Sequence, residues 1–190
     1  MAEEEVAAVP FGQSLHYGGA ATCKLERCGF DRIAACSDSL SRLKAIYMTF
    51  MHHANDSYVY HMRFPDLDAN NPMEWQAQIG PTRYPAWGAL KELPERYWNL
   101  QQTIGTHQSV FHTNAINLEH YVGDSHVVAI GLDKIQSDTG EDNMSSTSTK
   151  MGDLLSFRVK NIKTTVTQAW VTLRHSAVLI LSEEGAQYLD

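Results

Sequence analysis

The 190 residues carry 15 Lys and Arg against 22 Asp and Glu, a formal net charge of −7, and 43% of them are hydrophobic. That balance argues against a chain whose main task is neutralising nucleic-acid phosphates, and no basic cluster offsets it. The apolar content suffices for one sizeable core, no apolar run is long enough for a membrane-spanning helix, and the acidic N-terminus lacks the basic region and apolar stretch of a secretory signal.

Residues 1–22 are acidic, then rich in Gly, Ala and small polar residues, which predicts a flexible acidic arm ahead of a single β-sandwich domain over 23–190. Such an arm either frays or crosses to a neighbouring subunit. Cys23, Cys28 and Cys36 follow in a spacing that fits neither a disulfide framework nor a zinc knuckle. They read as reduced thiols used for packing, a site built from His16, Cys23 and Cys28 being the alternative.

Leu43 to Phe50 alternates, with Ile46, Met48 and Phe50 on one side and Ala45, Tyr47 and Thr49 on the other. Ser57 to Phe64 gives a second strand, and the short segment between them predicts an antiparallel hairpin. Pro65 to Pro72, framed by Pro and filled with Asp and Asn, is a loop. Met73 to Ile79 alternates again, Trp75, Ala77 and Ile79 opposing Glu74, Gln76 and Gln78. Gly80 to Gly88 then breaks regularity while carrying Tyr84 and Trp87.

Leu93, Tyr97, Leu100 and Ile104 fall on one stripe of a helix that Pro94 suits at its first turn, Glu92 and Glu95 favour at its positive end, and Gly105 stops. That stripe must lie on a sheet, and Trp98 stands off it. Thr106 to Tyr121 reads as one or two short strands. His126 to Leu132 is apolar on both faces, which predicts a central strand. Gln136 to Lys150 is a long polar loop.

The clearest strands close the chain. Leu155, Phe157 and Val159 oppose Ser156, Arg158 and Lys160, and a longer run from Ala169 to Leu181 supplies their partner. At about 3.3 Å per residue that run is longer than most single strands, so a bend near Ser176 and Ala177 is expected. Glu183 and Glu184 fall in a terminal turn. About eight strands, one short inserted helix and no βαβ alternation predict an all-β, jelly-roll-like sandwich of antiparallel strands.

Nucleophilic and nucleotide chemistry find no foothold, because the chain lacks a G-x-S-x-G elbow, a P-loop and a dinucleotide fingerprint. His112, Glu119 and His120 are the set a metal-dependent, cupin-like enzyme would draft, although H-x6-E-H matches no established ligand spacing. No catalytic, cofactor-binding or metal-binding residue is assigned, and no cofactor is expected. Trp75, Tyr84, Trp87, Tyr97 and Trp98 crowd five large rings into a stretch of mixed loop and helix. They suit a subunit interface, simple core packing, or the platform of a carbohydrate-binding sandwich.

Tyr84-Pro-Ala-Trp87, Leu93-Pro-Glu-Arg-Tyr-Trp-Asn-Leu100, and Gly152 to Asn161 with Val178 to Leu181 resemble the layout of a single jelly-roll capsid protein of a eukaryotic virus or virus-derived element. The resemblance covers about the last two-thirds of the chain. It implies two four-stranded sheets, self-assembly into a shell with copies of the same chain, residence in a virion assembled inside the host cell, and no catalysis or membrane. One departure stands out: many such proteins carry a basic genome-binding arm, and residues 1–22 contain no Lys or Arg. Any contact with nucleic acid is then indirect or weak, and the acidic arm would join subunits.

Overall fold

The computed structural model describes residues 19–24, 26–28, 31–36, 40, 42–52, 64–66, 68, 70–104, 116–132, 147–148, 154–175, 178–182 and 185–189. Among these, eleven strands and two short helices alternate in the order β1 (Gly19–Lys24), β2 (Glu26–Cys28), β3 (Asp31–Cys36), β4 (Leu43–His52), β5 (Glu74–Ile79), β6 (Thr82–Tyr84), α1 (Leu93–Ile104), α2 (Leu118–Gly123), β7 (Val128–Gly131), β8 (Leu155–Lys160), β9 (Val166–His175), β10 (Val178–Ser182) and β11 (Gly185–Leu189). The expectation of a mostly β chain holds. About eight strands and one helix were expected, and the additional elements are short.

Every pairing is antiparallel. One sheet runs β1-β9-β4-β7, a second runs β2-β3-β8-β5-β6, and β10 with β11 makes a separate hairpin. The two larger sheets share one apolar core because the period-2 patterns of their strands point inward together. Ile46, Met48 and Phe50 of β4, Val128 and Ile130 of β7, and Val171 and Leu173 of β9 face Trp75, Ala77 and Ile79 of β5 and Leu155, Phe157 and Val159 of β8. The indole N–H of Trp75 crosses between layers to donate to Met48 Sδ at 3.2 Å, and its ring stacks on Phe157. Each such fully buried large side chain contributes about 1.5–3 kcal/mol relative to exposure.

Turn chemistry sets the registers. Gly80 takes a φ of 55° at the start of the two-residue turn between Ile79 and Thr82, a conformation glycine adopts without steric cost. Asn161 holds a φ of 53° at the end of β8, and its side-chain amide donates to Pro72 O at 3.2 Å.

Several local expectations change. β4 lies between two strands, paired with β7 along Ala45 to Met48 and with β9 from Leu43 to His52, and the expected hairpin partner 57–64 falls, except for Phe64, outside the described residues. Within 106–121, the described part from Leu118 is helical, not extended, because Asn117 caps a turn there. Among the described strands β7 stands at the end of its sheet and not at its centre; its second apolar face is covered by α1, which the sequence pattern alone does not distinguish from a neighbouring strand. Strand β1 begins at Gly19, inside the segment assigned to the arm, and residues 1–18 lie outside the described ones. The long closing run divides into β9 and β10 at 176–177, and β10 turns to pair with β11.

Candidate functional site

Two features on the helical side of the molecule carry chemistry that core packing does not require. The first is a shoulder of aromatic side chains after β6. Leu90 returns to β5, exchanging backbone hydrogen bonds with Trp75 at 3.0 and 2.8 Å, and Lys91 pairs with Glu74 at 2.8 Å. Glu95 then folds back over the entry to α1, accepting from the Lys91 backbone N–H at 3.2 Å and from the indole N–H of Trp87 at 3.3 Å. One carboxylate thereby orders both the helix start and an exposed ring. Trp87 is 75% exposed and Trp98, three residues beyond Glu95 on the same helix, is 49% exposed. The charged Lys91, Glu92 and Glu95 lie in the same stretch of chain, and Glu95 is in contact with the Trp87 indole.

The five aromatic residues singled out from sequence therefore separate. Trp87 and Trp98 keep much of their surface in contact with solvent. Trp75 is enclosed in the core and unavailable to one, because its place in β5 points it between the sheets. Tyr84 is half-buried against that same core. Tyr97 is spent on the helical layer, where its hydroxyl donates to Ile116 O at 2.9 Å and its ring meets Tyr121.

The second feature is a buried ionic cluster. Arg96 of α1 and Asp66 are joined by two parallel hydrogen bonds, Nη1 to Oδ1 at 2.8 Å and Nη2 to Oδ2 at 2.6 Å, with almost no solvent access. The bidentate geometry is what makes a buried pair tolerable, since each charge loses its hydration. The guanidinium lies 5.4 Å over the Phe64 ring. Its Nη1 also stands 3.4 Å from Nε2 of His126, whose Nδ1 lies 3.3 Å from Tyr121 O. Only the neutral tautomer protonated at Nδ1 serves both contacts: it donates to the carbonyl and accepts from Arg96. Burial, then the adjacent guanidinium, push the His126 imidazole down to about 3. The Tyr121 hydroxyl, buried and without a hydrogen-bond partner, is raised well above the ordinary phenol range by desolvation.

Segment 64–66 is stitched in from both sides. Phe64 N–H donates to Gly123 O at the end of α2, Lys163 Nζ donates to Phe64 O at 3.2 Å, Lys163 N–H donates to Pro65 O at 2.9 Å, and Asp66 bridges to Ile162. An open cleft of about 610 Å³ lies beside it, walled by Phe64, Glu119, His120, Val122, Asp124 and Lys163.

Glu119 and His120 are exposed neighbours on α2, not inward-facing positions of adjacent strands, and His112 lies outside the described residues. Among the described residues no group of three His, Cys, Asp or Glu side chains converges as a metal site would need. Cys23, Cys28 and Cys36 fall on β1, β2 and β3.

Asp66, Arg96 and His126 escaped the sequence reading. Arg96 falls on the apolar stripe between Leu93 and Leu100, and an arginine on a buried helical face signals a buried counterion. His126 opens an otherwise apolar run. Asp66 gives no local signal, since Pro-Asp is ordinary loop chemistry. No family model matches the chain, and the curated proteins contain no significant match to it.

Proposed function

We propose that this chain is a structural capsid subunit, a jelly roll that assembles with copies of itself into the shell of a virion. The observation that carries the reading is the nested strand pairing. Leaving β2 aside, the first strand pairs with the eighth, the second with the seventh, the third with the sixth and the fourth with the fifth, as β1 with β9, β3 with β8, β4 with β7 and β5 with β6. That is one long antiparallel ribbon folded back on itself. Rolling it brings the eighth strand beside the third and the seventh beside the fourth, and β9 pairs with β4 and β8 with β5. The pattern supports a jelly roll.

Jelly rolls serve shells, lectins and cupins alike, so the choice among them rests on surfaces. A cupin-like enzyme uses imidazoles in its interior. The buried imidazole among the described residues, His126, is engaged by Arg96 and the Tyr121 carbonyl and belongs to no converging set of three ligand side chains there. The exposed Trp87 and Trp98 supply the kind of aromatic anchors that dominate subunit contacts. With a net charge of −7, nucleic acid is an indirect or weak partner at most.

Sedimentation velocity of the purified chain at micromolar concentration tests the proposal. Wild type should form large oligomers across salt concentrations, and Trp87→Ala with Trp98→Ala should shift the population toward monomer with an unchanged circular dichroism spectrum. A strictly monomeric wild type at every salt concentration contradicts the reading, and glycan binding lost in the same variant would transfer the surface to carbohydrate.

A further inference from the structure

We propose that the buried cluster of Arg96, Asp66 and His126 is an acid-sensitive latch, whose protonation at His126 releases α1 and α2 from the sheet while the two-sheet core stays folded. The argument starts from how the helices are held. Leu100, Tyr121 and Ala129 make a small apolar cluster separate from the main core, and α1 buries only Arg96 and Leu100 completely. The ionic cluster is therefore one of the attachments of α1 among the described residues, beside Leu100 and the partly buried Leu93 and Tyr97. It ties α1 through Arg96 to segment 64–66, and ties both to the end of α2 through His126 and Tyr121 O. A layer with its own small core can open without the rest.

The closed arrangement requires a neutral imidazole. A proton on Nε2 would turn its only acceptor into a donor facing Arg96 Nη1 and place a second cation 3.4 Å from the guanidinium. Both oxygens of Asp66 are already engaged by Arg96. Among the described residues no second buried carboxylate faces the imidazole: α1 adds Tyr97, α2 adds Tyr121, and the turn after β8 adds Lys163, a further cation bound to Phe64 O. Glu119, His120 and Asp124 sit exposed at the rim of the cleft. Phe64 walls that cleft and meets His126 edge-on at 5.0 Å, so among the described residues its ring stands between the cleft and the imidazole.

The sign follows from linkage. Once open, His126 titrates near the ordinary value of 6.5, whereas closed it stays neutral down to about 3. The open form thus binds more protons throughout that interval, and acid favours it. At a pH two units below 6.5 the opening equilibrium shifts by about 100-fold.

Hydrogen–deuterium exchange of the full chain at about pH 7 and pH 4.5, corrected for intrinsic rates, reads the latch directly. Protection across α1 and α2 should fall by about 100-fold at the lower pH while β5 and β8 keep theirs. His126→Gln, which can accept from Arg96 and donate to Tyr121 O without titrating, should hold α1 protection at both values. His120→Gln should retain the wild-type fall. Unchanged protection in wild-type α1, an equal loss in α1 and the sheets, or the same fall in His126→Gln would each overturn the proposal. Should His126→Gln not fold, ring NMR of wild-type His126 decides: protonation in step with the loss of protection supports the latch, and a ring that stays neutral through it overturns it.

Discussion

Trp75 and Trp87 are twelve positions apart and chemically identical, yet their surroundings assign them opposite tasks. Trp75→Ala empties a site between the sheets and should cost about 3–5 kcal/mol of unfolding free energy in a denaturant titration. Trp87→Ala should leave monomer stability within about 0.5 kcal/mol while weakening self-association by about 2 kcal/mol. The alternation of Met73 to Ile79 places Trp75 on the face of Ala77 and Ile79, so its burial is legible in the sequence, whereas Trp87 sits in an irregular stretch where no period shows which way a ring turns. The Asp66 to Arg96 pair lies at the other extreme, because thirty residues separate its partners and no periodicity links a loop carboxylate to a helix. Asp66→Asn leaves the Arg96 guanidinium buried without its counter-charge, and should cost about 3–5 kcal/mol in the same titration. Most of that loss should return in the Asp66→Leu, Arg96→Met double variant, since an apolar pair of similar volume removes the desolvation penalty along with the attraction.

At the scale of elements, strands whose two faces differ were readable and those whose faces match were not. The patterns of β5 and β8 identify both strand and orientation, since buried and half-exposed positions alternate along them. β7 is apolar throughout, and the pattern could not tell whether a strand or a helix covers its second side. α1 was visible from its stripe, and its packing on β7 gives that stripe the sheet it needed. α2 was not: six residues carry too little periodicity, and the deciding feature is the cap, where Asn117 Oδ1 accepts from His120 N–H at 2.8 Å. A helix this short depends on such a cap. Asn117→Ala should lower local stability by about 1 kcal/mol, measured as faster amide exchange confined to 118–123.

For the whole molecule, the antiparallel strands make the frame that carries the exposed Trp87 and Trp98. The strand order joins residues from opposite ends of the sequence, so β1 meets β9 and β3 meets β8. That order was not derivable from local patterns, which say where strands are and not whom they meet. The helix α1 packs on β7 of this frame, with Trp98 on α1 and Trp87 tethered to it through Glu95. Electron micrographs of the purified, untagged chain at micromolar concentration and neutral pH test the proposed role most directly. Closed shells of uniform diameter are the expected result; a field of single particles no larger than one 21.3 kDa chain would contradict it.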